Sequence, residues 1–206
     1  MDPVSYEYKM IEFLYNINDL RNLESIFMYG LLSKNSLINL GIATPIDLSD
    51  HEVQKIRETK KVPNHAYLHD YANLYIDARN PMMYRISRNR NIDDVCVICV
   101  DKKVLDIEGT IVSDRNAAAE IALFDAPKEA LKHLDFPLIL AKYWKDDDYL
   151  IEIEKKSKKC AEVLVYNSVP IQYLVKIKVA TKQAKSLVEE FSLGVPIEID
   201  KNIFFQ

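Results

Sequence analysis

The sequence has few glycines and no long apolar run, and each shortage excludes a class of protein. With four glycines in 206 residues, it contains neither a P-loop nor a GxGxxG dinucleotide-binding loop. No apolar run reaches the ~18 residues of a membrane-spanning helix, and the first residues lack a signal-peptide pattern. We therefore expect a cytoplasmic monomer that does not associate with membranes.

Cysteine and basic charge are also scarce. The three cysteines cannot all pair, which fits a reducing compartment. Cys96 and Cys99 lie in the apolar run 95–100, where residues three apart point to opposite faces of a strand, so we predict core cysteines rather than a metal pair. The formal net charge of −4 excludes a uniformly basic surface for nucleic acid, although a local basic strip remains possible.

The remaining pattern mixes helices and strands without a regular βαβ rhythm, which predicts an α+β fold. Helices are predicted from Asn18–Asp19 to Gly30, from Ser49 or Asp50 to Lys60, from Asp114 through 117–119, from Pro127 towards His133, and over 182–191. Strands are predicted at 94–100, 109–113, 160–166 and 173–179, with a short strand near the end of the chain. The segment Tyr67–Tyr75 is ambiguous between helix and extended chain.

Glu162 is a carboxylate inside the otherwise apolar strand of KKCAEVLVY. Alternation places it on one face with Leu164 and Tyr166. Burying an ionised carboxylate without a partner costs several kcal/mol, so two interpretations compete. Glu162 either lies at a sheet edge with its carboxylate in water, or lies in a cleft. In a cleft it could accept a hydrogen bond from a sugar hydroxyl and stabilise positive charge developing on the ring.

Tyr67, Tyr71, Tyr75 and Arg79 recur at four-residue spacing, which on a helix would align three rings and a guanidinium. These residues form either a tyrosine-rich core seam or a wall on which a flat ring stacks, with Arg79 binding phosphate or another acidic group.

Metal ligands are not evident. His65 and His69 have a helical ligand spacing, but no third ligand lies nearby, so we predict no metal site. A metal-dependent nuclease would need carboxylates on a strand framework, and the available acids stand in a charge-rich stretch without one: Asp146, Asp148, Glu152 and Glu154.

Lysines and aromatics alternate in the second half of the chain, a pattern that suits one nucleic-acid strand through phosphate contacts and base stacking. The candidate DNA-binding residues are Arg115, Lys142, Tyr143, Trp144, Lys145, Lys155, Lys158 and Lys159. Carboxylates interrupt this set, so a solvated hairpin is the competing interpretation.

Four segments follow one another along nearly the whole chain: NINDLRNLESIFMYGLLS, LHDYANLYIDARNPMMY with its R-x-P-M core, VSDRNAAAEIALF, and AEVLVYNSVP followed by YLVKIKV. Together they resemble the DarT-type DNA ADP-ribosyltransferase toxins. The resemblance implies an ADP-ribosyltransferase fold of residues 1–206, with two small, mostly antiparallel sheets and flanking helices around an NAD cleft.

The resemblance also implies a function. ADP-ribose would pass from NAD to guanine or thymine in single-stranded DNA without a metal, and a macrodomain antitoxin would remove it. Glu162 would be the catalytic glutamate and Arg79 the second catalytic residue. NAD would contact the element 63–81, and DNA the substrate loop 121–162. The implied NAD-binding residues are Asn16, Ile17, Asn18, Ser25, Ser33, Tyr71, Tyr75 and Arg79.

One position departs from the family pattern. Asn16 stands where the family often has a histidine that binds a ribose, although its amide can also bond a diol. Asn16 and the variant R-N-P-M-M stretch favour guanine over thymine. The alternative is an inactive module of the same fold that binds nucleic acid or an antitoxin.

Overall fold

The computed structural model describes residues 6–43 and 45–206. Its α-helices are α1 (Tyr6–Met10), α2 (Leu23–Tyr29), α3 (Lys34–Asn39), α4 (His51–Thr59), α5 (Pro81–Asn89), α6 (Pro127–Ala130), α7 (Phe136–Ile139), α8 (Tyr149–Lys158) and α9 (Lys182–Glu190). Its strands are β1 (Phe13–Asp19), β2 (Leu31–Leu32), β3 (Tyr71–Tyr75), β4 (Val95–Asp101), β5 (Ile111–Ser113), β6 (Phe124–Asp125), β7 (Glu162–Tyr166), β8 (Ser168–Val169), β9 (Leu174–Val179) and β10 (Ile197–Ile199).

Eight strands form one sheet in the order β10-β9-β4-β1-β3-β7-β5-β6, and β2 pairs with β8 in a second sheet. Neighbouring strands are antiparallel except β10 and β9, which are parallel. The predicted α+β fold with two mostly antiparallel sheets is confirmed, but the sheets are unequal in size. The first and last strands of the chain belong to the same large sheet.

Most predicted elements form. Helix α2 follows a 3-10 turn capped by Asp19, helix α4 is capped by Asp50, and Tyr71–Tyr75 is a strand rather than a helix. Strand β1 was missed because its polar residues near position 18 resemble the start of a helix. The helix predicted from Asp114 is wrong, since residues 114–119 form an irregular loop whose N–H groups are bonded elsewhere.

The core lies on both faces of the large sheet. Strand β4 is its most buried strand, because six consecutive residues, Val95 to Val100, are fully buried. Cys96 and Cys99 are among them as free thiols, which confirms the prediction of core cysteines. Their burial raises the pKa of both thiols, that of Cys99 to about 12.

Gly30 makes the junction between α2 and β2 possible. It has φ of +86°, a region that disfavours L side chains, and an added Cβ would lie 2.7 Å from the carbonyl oxygen of Val169. The glycine therefore allows β2 to reach β8, where Leu31 pairs with Val169.

Candidate active site

Glu162 begins strand β7, which lies inside the large sheet between β3 and β5, where it pairs with Tyr75 on one side and Ser113 on the other. Its side chain is 0% exposed. Arg57 Nη1 donates to Glu162 Oε2 at 2.9 Å, and the Ala117 N–H donates to Oε1 at 3.0 Å. The interpretation of Glu162 as a solvated edge residue is therefore wrong. Both carboxylate oxygens have donors, so the buried charge is paired.

Arg57 is a site residue that the sequence patterns missed. It is the buried residue of helix α4, and it lies 105 positions from Glu162 along the chain. The available signal was weak: Val53, Gln54 and Arg57 have a one-face helical spacing, and all three line the same cavity.

The loop 114–119 carries the second donor to Glu162, and hydrogen bonds from neighbouring elements hold this loop in place. Ser113 Oγ donates to the Arg115 carbonyl at 2.7 Å, and the Asn116 N–H donates to the Ser157 carbonyl at 3.0 Å. The Lys60 ammonium donates to the Ala119 carbonyl. These bonds from three elements hold the Ala117 N–H against the carboxylate, which explains why no helix forms here.

A cavity of about 490 Å³ opens beside Glu162, within the range of roughly 300–1,000 Å³ typical of small-molecule sites. Tyr71 and Tyr75 both line it, because four residues is an even step along a strand as well as about one helical turn. Tyr75 donates to Met82 Sδ at 3.0 Å. Burial, and then the charge of Glu162, raise the pKa of the Tyr75 hydroxyl well above its ordinary value.

Asn16, Ile17 and Asn18 of β1 line the cavity, as the resemblance implied. Asn18 Nδ2 donates to Asn16 Oδ1 at 2.9 Å, and Asn16 Nδ2 donates to the Asn73 carbonyl at 3.1 Å. Asn16 therefore supports the strand pair β1–β3 from within the site. These bonds leave one lone pair of its amide oxygen for a ligand.

Two further groups lining the cavity have shifted pKa values. His69 is buried and its Nε2 lies 2.9 Å from Gln54 Oε1. Burial, followed by the positive charges of Lys34 and Arg57, lowers the pKa of His69. Burial, followed by the charge of Glu162, raises the pKa of the Cys160 thiol to about 12. Both groups are therefore neutral near pH 7.

The family model described as "ssDNA thymidine ADP-ribosyltransferase, DarT" matches residues 15–205. The chain belongs to the DarT family. The family resemblance read from the four segments is thereby confirmed, and with it membership of a family of DNA ADP-ribosyltransferases.

Three matches to two proteins illustrate the similarity to DarT proteins. A DNA ADP-ribosyl transferase–DNA ADP-ribosyl glycohydrolase fusion protein of Thermosipho africanus is 25% identical over 198 residues, which cover 93% of this chain and 49% of that protein. The structure of Thermus sp. 2.9 DarT with ADP-ribosylated ssDNA matches with TM-score 0.80 and 24% identity, covering 93% of this chain and 95% of that one. The same DarT with NAD+ matches with TM-score 0.75 and 24% identity, covering 93% and 96%.

These two structural matches establish the DarT fold. The chain spans about half the length of the Thermosipho africanus fusion protein and nearly all of the Thermus sp. 2.9 structures.

Arg79, predicted as the second catalytic residue of a DarT site, lies elsewhere. It is not among the described residues that line the cavity. Its guanidinium stacks 3.8 Å from the centre of the Phe205 ring and donates to the Asn202 carbonyl. Arg79 lies in the turn after β3, where Asp77 Oδ1 accepts its backbone N–H at 3.0 Å. The arginine on Glu162 is Arg57.

Ser25 and Ser33 are NAD contacts implied by the DarT resemblance. Neither is among the described residues that line the cavity. Ser33 is buried as the N-cap of α3, where its Oγ accepts the Ser36 N–H at 3.1 Å and donates to the Ser36 hydroxyl. Ser25 lies within α2.

Three predicted DNA contacts are buried. Lys159 is 0% exposed and its ammonium donates to Asp77 Oδ2 and the Ile139 carbonyl, both at 2.7 Å. Trp144 packs against Tyr84 and Phe205. As they stand, neither side chain offers a surface to DNA.

Arg115 is the third buried contact and pairs with Asp114 and Glu154, each at 2.9 Å. The other predicted residues of the strip are exposed or half-buried: Lys142, Tyr143, Lys145, Lys155 and Lys158. Tyr143 is 66% exposed, and Lys142 lies 5.5 Å from its ring centre.

The acidic residues of the alternative nuclease have local partners. Asp148 caps α8, Asp146 pairs with Lys155, Glu152 pairs with Lys145 and Lys156, and Glu154 pairs with Arg115 and Lys158. Within residues 6–43 and 45–206, no three His, Cys, Asp or Glu side chains converge as metal ligands. Over the same residues, no helix is long and apolar enough to cross a membrane.

Proposed function

We propose that this chain cleaves the nicotinamide–ribose bond of NAD and transfers ADP-ribose to a base in single-stranded DNA. The base nitrogen forms the new bond to the ribose carbon, nicotinamide leaves, and the base loses one proton. Family membership supports the reaction, and so does the presence of NAD+ and ADP-ribosylated ssDNA in the Thermus sp. 2.9 DarT structures.

The observation that carries the proposal is the position of Glu162. It is a carboxylate with a hydrogen-bond donor on each oxygen, at the wall of a cavity of suitable size, and its side chain is 0% exposed to solvent. Breaking a glycosidic bond to a positively charged leaving group develops positive charge on the ribose. A negative charge fixed nearby in a low-dielectric site stabilises that transition state. Glu162 also offers free lone pairs to a ribose hydroxyl.

Arg57 holds Glu162 in place in this proposal. Its guanidinium stays charged, and its bond to Oε2 fixes the carboxylate rotamer before NAD arrives. The Ala117 N–H does the same at Oε1. A preorganised carboxylate need not reorient during the reaction, which is the main source of electrostatic catalysis.

NAD contacts come from β1 and from the element 63–81. Asn16, Ile17 and Asn18 supply amide and backbone groups, and Tyr71 and Tyr75 supply rings. These five residues line one cavity, which supports their part of the predicted NAD set. We do not include Ser25, Ser33 or Arg79 in the proposed site.

DNA binds along the substrate loop 121–162 in this proposal, through its accessible side chains. Lys142 and Tyr143 combine a charge with an exposed ring, as single-strand binding requires. The matched family is described as acting on thymidine, which supports thymine rather than the guanine that Asn16 favoured. The fusion to an ADP-ribosyl glycohydrolase in Thermosipho africanus supports a macrodomain antitoxin as partner.

The test is mass spectrometry of nucleosides after the protein is incubated with NAD and a mixed-sequence single-stranded oligonucleotide. We expect a mass gain of one ADP-ribose on thymidine. Glu162→Gln, which keeps the shape but removes the charge, should lower the rate at least ~100-fold, as expected for loss of a transition-state electrostatic contact.

Glu198→Gln is the matched control, because Glu198 is an exposed glutamate that pairs with Lys176 on β9. It should transfer ADP-ribose at the wild-type rate. Full activity of Glu162→Gln would remove Glu162 from the proposal. Calorimetric NAD binding without transfer to any oligonucleotide would favour the inactive module instead.

A further inference from the structure

We propose that Asn22 and Arg85 are positioning residues that hold residues 45–50, here called the wall segment, against the cavity and thereby set its affinity for NAD. This inference rests on the proposed function for its NAD readout. The holding itself is a property of the chain alone and can be measured without NAD.

The wall segment has little structure of its own. It precedes α4 and forms neither helix nor strand, and all six residues from Pro45 to Asp50 line the cavity. Within it, the Ser49 N–H donates to Asp47 Oδ1, and Asp50 caps α4. Segments with few backbone bonds open at low free energy unless other contacts hold them.

Asn22 supplies the first such contact. Its side chain, which is buried, accepts the Ile46 N–H at 3.0 Å and donates to the Ile46 carbonyl at 2.9 Å. An amide thus bonds both backbone groups of one residue, as a neighbouring strand would. Asn22 Nδ2 also donates to Asn18 Oδ1 at 2.7 Å. The wall segment is thereby tied to the amides of β1 that line the same cavity.

Arg85 supplies the second contact from a different element. It lies on α5 and its Nη2 donates to the Leu48 carbonyl at 2.8 Å. Leu48 itself is buried in the core against residues of β1, β3 and α5. Two side chains from separate elements therefore form hydrogen bonds with alternate residues, Ile46 and Leu48, of an otherwise irregular segment.

The contacts of Asn22 and Arg85 with the wall segment affect NAD binding rather than the chemical step. The side-chain hydrogen bonds of Asn22 and Arg85 described above go to the wall segment and to Asn18, not to Glu162 or Arg57. If the wall segment opens, a smaller fraction of molecules has a complete cavity, and the apparent affinity falls by that fraction. Molecules that do bind NAD retain the same carboxylate and the same loop 114–119.

The experiment uses the full chain with Asn22→Asp and Arg85→Gln. Aspartate keeps the shape and still accepts the Ile46 N–H, but it cannot donate to Ile46 or Asn18. Each variant should raise KM for NAD about 3- to 10-fold, the size expected for one or two lost hydrogen bonds, and change kcat less than about twofold. Hydrogen exchange of amides 46–50 should accelerate while the strands of the large sheet keep their protection.

Asn35→Ala is the matched control. Asn35 is also partly buried and donates one 2.7 Å bond, to Asp70 Oδ1, without contacting the wall segment through its amide. Its KM for NAD and its exchange at amides 46–50 should equal those of the wild type.

Two results would overturn the inference. One is unchanged exchange at amides 46–50 in both variants, and the other is faster exchange spread over the whole sheet, which would mean general destabilisation. If the wild-type chain transfers no ADP-ribose, the proposed function fails separately. Hydrogen exchange of the wall segment in the Asn22→Asp variant, measured without NAD, then still decides whether Asn22 holds that segment.

Discussion

The charges around Glu162 and the charges along α8 show opposite uses of the same residue types. The pair of Arg57 and Glu162 is buried, with side-chain exposures of 7% and 0%. Along α8, Glu152 and Glu154 pair with lysines that remain in contact with water. Exposed pairs contribute roughly 0–1 kcal/mol each, whereas removing one partner of a buried pair costs about 3–5 kcal/mol.

The two regions have the same types of charged residue, so burial rather than composition distinguishes the candidate active site from the solvated face of α8. The pairs along α8 also neutralise lysines that would otherwise attract phosphate. The predicted DNA strip is therefore less basic than its sequence suggests, and its accessible part centres on Lys142 and Tyr143.

The largest effect should come from breaking the buried pair. Arg57→Met leaves the Glu162 charge without its cation, and we expect the free energy of unfolding to fall by about 3–5 kcal/mol in urea titrations. Combining it with Glu162→Gln should recover part of that stability, because no charge is then left unpaired, without restoring ADP-ribose transfer.

The surface counterpart of this test is Lys158→Gln, which breaks a pair with Glu154 and should change stability by less than about 1 kcal/mol. Equal urea midpoints for Arg57→Met and Lys158→Gln would refute the contrast between the two regions.

An intermediate effect should distinguish two adjacent lysines. Lys159→Met leaves the Asp77 carboxylate and the Ile139 carbonyl without their donor and should cost about 2–3 kcal/mol in the same titrations. Lys158→Met should cost at most about 0.5 kcal/mol, since its side chain is partly in water. A Lys159→Met protein that is as stable as the wild type but binds single-stranded DNA less tightly would contradict the buried position.

The smallest effect concerns pH. Burial lowers the pKa of His69 in the folded state below its ordinary value of 6.5. As pH falls, the unfolded chain therefore binds this proton first, so stability is complete above about pH 6.5 and declines below it. His69→Gln should flatten the decline in melting temperature between about pH 7 and pH 5.

His133→Gln is the control for the pH effect, because His133 is exposed. It should leave the decline unchanged. An identical pH profile for wild type and His69→Gln would show that the buried imidazole does not govern the slope.

The local patterns of the sequence predicted more of the fold than of the site. Caps such as Asp50 and the alternation around Glu162 act over a few residues, so they are visible along the chain. The four-residue tyrosine spacing placed Tyr71 and Tyr75 on one face even though the expected helix is a strand, because both periods allow it.

Long-range pairing was not visible in the same way. Arg57 contacts Glu162 across 105 positions, and its helical spacing with Val53 and Gln54 does not indicate that partner. Lys158 and Lys159 are adjacent residues of the same type, so the sequence does not distinguish them. Only the contacts with α7 and with Asp77 in the folded chain bury Lys159. The NAD and DNA roles came from family resemblance, since composition alone left Glu162 undecided.

Cys160 gives the cavity a property that matters for inhibitor design. Its thiol lines the cavity two residues before Glu162, where an electrophilic compound could be aimed at it. Its pKa, raised to about 12 by burial and by the neighbouring carboxylate, leaves almost no thiolate near neutral pH. Alkylating warheads should therefore react slowly at this position. Compounds that block the cavity will depend on shape and on reversible contacts.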